Sequence, residues 1–207
     1  MVIPRLSLKW RGFFLLSRPV NVFIAFLSIF VAAIVAGGAD PFGSLLLACF
    51  SGSFIAIAAN AINDYYDLEI DKINRPKRPL PAGLITRKEA YIFAIGNFLA
   101  GIGSGFFINS AAAVIAVVFS VLLYLYSSMF KRTVIIGNFS LASAFAFLYG
   151  GIAVNRLPQA VFPAIFAFFM HFGREIIKDM EDAEGDRINN ARTLPIEFGF
   201  DVARWFV

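Results

Sequence analysis

The sequence predicts an all-α protein, a multi-span transmembrane helical bundle, and three observations lead there. Of its 207 residues, 59% are hydrophobic and only 15% charged, against about 45–50% and about 25% in soluble globular domains. The mean hydropathy is +0.74. Finally, residues 19–39, 41–63, 90–130, 133–155 and 157–173 contain no Asp, Glu, Lys or Arg at all. A span needs about 20 mostly apolar residues, and the stretch 90–130 is long enough for two. Six spans follow, and a soluble enzyme, a secreted domain and a nucleic-acid-binding protein are excluded.

Taken in order, the spans fall at 20–37, 42–63, 89–107, 110–128, 134–153 and 159–178. Arg5, Lys9, Arg11 and Arg18 precede the first apolar run in the style of a signal peptide. Five further spans behind it make an uncleaved first helix the reading. The long stretch breaks at Phe107-Ile108-Asn109-Ser110. Loops then alternate in character. Those around Gly37–Pro41, Asn109 and Val154–Pro158 are short and nearly uncharged, whereas every Lys and Arg except Arg156 lies on the other set. The positive-inside bias places the N-terminus and the charged loops in the cytoplasm. The pI of 9.4 therefore reports orientation and an anionic ligand rather than nucleic acid. Cys49, the sole cysteine, reads as a buried inert thiol. The whole of 1–207 reads as one membrane domain. Its last residues, Arg204-Trp205-Phe206-Val207, open an apolar run that reads as the start of a seventh helix.

Ten of the 14 acidic residues occupy two short segments. One holds Asp64, Asp67, Glu69 and Asp71, the other Glu175, Asp179, Glu181, Asp182, Glu184 and Asp186. Each follows an apolar span on the cytoplasmic side. At about 100° per residue, Asn60, Asp64, Asp67 and Asp71 share one narrow helical stripe, as do Glu175, Asp179, Asp182 and Asp186. Like charges so stacked repel one another unless a counter-ion joins them. Solvated charges at helix ends account for Glu89, Glu181 and Glu184 but not for the stripes. Oxygen ligands select Mg²⁺ or Ca²⁺, and Mg²⁺ combines a few carboxylates with substrate phosphates.

Basic residues stand beside the first stripe. Asn74-Arg75-Pro76-Lys77-Arg78-Pro79 follows it almost at once, and Lys131, Arg132, Arg174 and Lys178 lie on the same side. Proline limits the freedom such a run loses on capturing a ligand, and a metal-bound diphosphate suits the combination. Opening into a Phe-rich bundle, the site fits a diphosphate head with an apolar tail, as in an isoprenyl diphosphate. Basic residues and metal neutralise the leaving diphosphate. Tyr65, Tyr66, Tyr124, Tyr126 and Phe172 are the candidates for shielding an allylic cation.

The same residues carry a family resemblance. Asn63-x3-Asp67-x3-Asp71, running into Asn74-Arg75-Pro76-Lys77-Arg78-Pro79-Leu80, is similar to the first signature of the UbiA family of intramembrane prenyltransferases. Lys178-x3-Asp182-x3-Asp186 resembles the second, and Arg192-Thr193-Leu194-Pro195 resembles the stretch after it. The resemblance implies a bundle around a central cavity open to lipid, and Mg²⁺-dependent transfer from a polyprenyl diphosphate. It implies Asn63, Asp67, Asp71, Asp182 and Asp186 as the metal set, with Asp64 among the catalytic acids. It implies Arg75, Arg78, Lys131 and Lys178, with Asn63, as diphosphate contacts. The family usually has nine helices, so C-terminal helices are expected to be missing from this sequence. Gly173–Asp182 resembles the archaeal ether-lipid branch, in which the donor is geranylgeranyl diphosphate and the acceptor geranylgeranylglyceryl phosphate. Extra basic residues such as Arg18, Lys131, Arg132 or Arg174 suit a phosphate-bearing acceptor. Prenylation of an aromatic ring such as 4-hydroxybenzoate is the alternative. A divalent-cation transporter is the contrasting class, disfavoured because its carboxylates belong within the spans. His171 receives no catalytic role.

Overall fold

The computed structural model describes residues 5–129, 138–181, 183 and 193–207. Among the described residues, ten helices run in order: α1 Arg5–Ser17, α2 Pro19–Ala36, α3 Phe42–Tyr66, α4 Leu68–Asn74, α5 Arg87–Phe106, α6 Ser110–Ser128, α7 Asn138–Ala153, α8 Leu157–Glu181, α9 Leu194–Phe198 and α10 Phe200–Trp205. Helices α2, α3, α5, α6, α7 and α8 overlap the six stretches read as spans, with residues 134–137 of the fifth lying outside the described residues. Four of them, α2, α3, α6 and α8, are long and apolar enough to cross a membrane on length and composition, and α7 contains the shorter apolar segment Ala142–Ala153. Helix α5 carries three charged residues in its first turn, Arg87, Lys88 and Glu89. Near the C-terminal end of the sequence, Gly199, at φ +87°, separates the short helices α9 and α10.

Local chemistry sets the boundaries. Helix α2 starts with Pro19 directly after Arg18, whose backbone is left-handed at φ 51°. It ends at Gly37, which donates to the Ile34 carbonyl, while Gly38 donates to the Ala33 carbonyl. Thr86 and Glu89 form a reciprocal capping box at the start of α5. The expected break in the long apolar stretch is realised by Asn109, whose side chain accepts from the Ala112 amide at 2.8 Å and starts α6.

Helix α3 is the hub, packing against α1, α2, α5, α6 and α7. It does so through small residues, since Ala48, Cys49, Ser51, Gly52, Ala58 and Ala61 are all buried. Within a bilayer, apolar burial against lipid tails gives no drive to associate, and close backbone approach takes its place. Two glycines mark close approaches to neighbouring backbone. A Cβ on Gly101 would stand 2.9 Å from the Ser51 carbonyl oxygen, and one on Gly150 would stand 2.6 Å from that of Ile29. The same region holds a polar node. Buried Ser51 donates to the Gly101 carbonyl at 2.7 Å and shares a 2.6 Å hydrogen bond with the Tyr149 hydroxyl, joining α3, α5 and α7. Outward, Phe23, Ile24, Leu27 and Val31 of α2 and Phe162, Phe166 and Phe169 of α8 are exposed, as suits contact with lipid.

Gly150→Val is expected to lower the thermal midpoint in detergent micelles, because the obstacle is backbone and α2 must move away. A cost of about 1–3 kcal/mol is the scale for such overpacking. Gly103→Ala, where nothing lies within 4 Å of the added carbon, is expected to leave the midpoint unchanged or slightly raised.

Candidate active site

The C-terminal end of α3 carries the first acidic stripe across a helix break. Helix α3 stops at Tyr66, Asp67 forms the joint, and α4 begins at Leu68. The backbone stays nearly helical through the joint, with the Asp67 amide donating to the Asn63 carbonyl at 3.0 Å and the Asp71 amide to the Asp67 carbonyl at 2.8 Å. The helical phase therefore persists. Asp64, Asp67 and Asp71 are 3%, 9% and 5% exposed, while Glu69, off the stripe, lies open and pairs with Lys72.

Three carboxylates withdrawn from water need positive partners. Arg78 supplies one, reaching Asp71 at 2.5 Å and Asp64 at 3.2 Å. Arg18 supplies another, its guanidinium hydrogen-bonded to the same Asp64 oxygen. Arg78 can bend back because the segment after α4 turns tightly. The Arg78 amide donates to the Arg75 carbonyl, and those of Ala82 and Leu84 to the Arg78 and Pro79 carbonyls. Pro79, Leu80 and Ile85 are buried, pinning the segment down, and Gly12 of α1 fits closely against Leu84 and Ile85. Arg75 and Lys77 remain exposed, as does Lys178 on α8.

The basic and acidic candidates thus separate. Asp64, Asp71 and Arg78 come together in one ion-paired group, with Asp67 buried on the same stripe and Asn63 half-buried. Among the described residues, no three His, Cys, Asp or Glu side chains are close enough together to hold a metal ion. Asp182, Asp186 and Lys131 lie outside the described residues.

An aromatic group adjoins the stripe. The Tyr66 and Tyr124 hydroxyls are 3.0 Å apart, and Tyr65 packs edge-on to Tyr66 and tilted against Tyr91. The Arg87 guanidinium stands over the Tyr65 ring, 4.4 Å from its centroid. That face of Tyr65 already carries a cation. Phe172 stacks on Phe168 instead. Tyr91 escaped sequence reasoning, having no charge or motif to mark it. Asn60 is one turn below Asp64, and its amide donates to the Ser17 carbonyl at 3.0 Å.

Residues 22–207 match the UbiA prenyltransferase family, and the chain belongs to that family; it is a prenyltransferase and a multi-pass membrane protein. It is similar to the digeranylgeranylglyceryl phosphate synthases of Methanopyrus kandleri, at 40% identity over 93% of this chain and 72% of that protein, and Thermococcus kodakarensis, at 40% over 93% and 70%. A relative of the same name from Methanothermobacter thermautotrophicus is 37% identical over 90% of this chain and 66% of its own length. A solved digeranylgeranylglyceryl phosphate synthase structure superposes with a TM-score of 0.89 and 33% identity, covering 96% of this chain and 73% of that one. A UbiA homologue from Archaeoglobus fulgidus, bound to DMAPP and Mg²⁺, shares the fold with a TM-score of 0.76 and 24% identity over 93% of this chain and 71% of that one.

Asp64→Ala is expected to destabilise the protein by about 3 kcal/mol, because it strands two largely covered guanidinium groups. Removal of the exposed Glu69–Lys72 pair by Glu69→Ala is expected to change stability by under about 1 kcal/mol. Thermal unfolding of the two variants in the same detergent checks the contrast.

Proposed function

We propose that the chain transfers a geranylgeranyl group from its diphosphate to the free hydroxyl of geranylgeranylglyceryl phosphate, with Mg²⁺, at the cytoplasmic face of the membrane. The observation that carries the reading is the buried group of Asp64, Asp71 and Arg78 at the end of α3, in a chain of this family. The similarity to synthases of that name supports the acceptor.

The donor set is right in kind for a hard divalent cation. Its described carboxylates, Asp67 and Asp71, are oxygen ligands shielded from water, and they lie beside arginines suited to phosphate. Asp67 and Asp71 with Asn63, joined by Asp182 and Asp186, are the residues assigned to hold Mg²⁺. When bound, the ion polarises the leaving diphosphate as a Lewis acid. The related structure bound to DMAPP and Mg²⁺ supports a divalent metal beside a prenyl diphosphate.

The chain's own part is mostly electrostatic. Arg78 donates to the diphosphate oxygens, with Arg75, Lys131 and Lys178 adding positive charge around them. Cleavage of the C1–O bond sends its electron pair to the diphosphate. The acceptor oxygen then bonds to C1 and releases its proton. Tyr66 and Tyr124 present aromatic faces and paired hydroxyls near the stripe, suited to an allylic cation.

Asp67→Ala and Asp182→Ala are each expected to abolish transfer in protein that still purifies folded; retained turnover refutes the metal assignment. Activity is expected to vanish with EDTA and return with Mg²⁺. The acceptor is settled by incubating purified protein with radiolabelled geranylgeranyl diphosphate and a panel of acceptors. Label is expected in digeranylgeranylglyceryl phosphate, and label in prenylated 4-hydroxybenzoate alone identifies an aromatic prenyltransferase.

A further inference from the structure

We infer that Arg18 is a positioning residue for the donor site, acting through Asp64 to keep Arg78 available to the diphosphate. The inference rests on the function proposed above. It starts from charge arithmetic at one buried oxygen. Asp64 is 3% exposed, and Arg18 and Arg78 both donate to its Oδ1. Arg78 uses the same Nη1 for Asp71, at 2.5 Å against 3.2 Å to Asp64. Its tighter bond is therefore the one toward Asp71, on the side assigned to metal and diphosphate.

That distribution depends on Arg18. A buried carboxylate with a single counter-ion holds it strongly, because the alternative is an uncompensated charge. With Arg18 in place, Asp64 is already neutralised and its claim on Arg78 is weak. Without Arg18, Asp64 draws Arg78 in, and the fork that should meet the diphosphate is spent on an internal pair.

The fold goes to some length to put Arg18 there. Its backbone is left-handed at φ 51°, unusual for a side chain of this size, and Pro19 follows directly. Such a conformation persists only where surrounding contacts hold it. Asn60 holds the preceding carbonyl, that of Ser17, at 3.0 Å. Asp64, one turn further along α3, holds the Arg18 side chain. The two polar residues of α3 grip backbone and side chain of one elbow. An arginine serving only membrane orientation would need neither.

The test measures binding rather than turnover, using the unreactive donor geranylgeranyl S-thiolodiphosphate with Mg²⁺ and purified protein. Arg18→Met is expected to weaken binding by about ten- to hundredfold, the scale of a lost charge-assisted hydrogen bond. Arg18→Lys, which keeps the charge but not the planar fork, is expected to fall between. The deciding variant is Arg18→Met with Asp64→Asn, which removes the carboxylate that would capture Arg78 and is expected to recover most of the lost affinity. In a double-mutant cycle, Arg18→Met is expected to add little to Arg78→Met. Multiplicative losses in that cycle, or no recovery with Asp64→Asn, overturn the inference and make Arg18 a direct ligand contact. If the wild-type protein binds no donor analogue, the proposed function falls and this inference with it.

Discussion

A carboxylate held at 3% exposure in the last turn of a membrane helix persists only if positive charge comes to it. For Asp64 that charge comes from two places far apart in sequence, the elbow before α2 and the turn after α4. Much of this end of the bundle follows from meeting this requirement. The elbow must bend sharply enough to aim Arg18 inward, which fixes how α1 leaves α2. The segment after α4 must fold back, which buries Pro79 and Leu80 and gives α1 a surface to lie on. One buried anion thus joins three pieces of chain.

The apolar middle is held differently. Lipid competes equally for every hydrocarbon side chain, so α3 gathers its neighbours by being thin. Alanine, glycine and serine let backbones approach, and the Ser51 hydroxyl then reaches both a carbonyl and Tyr149. That close seam fixes the position of α3 relative to α5 and α7. At the site end, the hydroxyls of Tyr66 on α3 and Tyr124 on α6 stand 3.0 Å apart.

The helices were legible because charge is excluded from a bilayer so strongly that its absence is itself a pattern. The span edges 42–63 and 110–128 lie within three residues of α3 and α6, and Asn109 marks its own cap. The stripe was legible too, since helical phase survives the joint at Asp67. What the sequence hid is pairing across distance. Arg18 and Asp64 are 46 residues apart, and neither periodicity nor composition links them. Arg18 stood out only as one of several basic residues suited to a phosphate-bearing acceptor, and Tyr91 looked like one more aromatic. The short helices α1 and α4 were also hidden, because a basic N-terminus and an acidic loop account for the same residues.

This distinction divides the basic residues into two physical kinds. Arg75, Lys77 and Lys178 are exposed, and charge at such positions serves to orient the chain and to raise the local concentration of anionic substrates. A lysine and an arginine are nearly interchangeable in that role. Arg18 and Arg78 are largely covered and share one carboxylate, with Arg78 also serving a second. A rigid fork that cannot lose its proton is needed there, since a buried lysine can neutralise itself and abandon its partners. The choice of arginine at these two positions therefore follows from burial, and burial follows from placing the acidic stripe where helix and membrane surface meet.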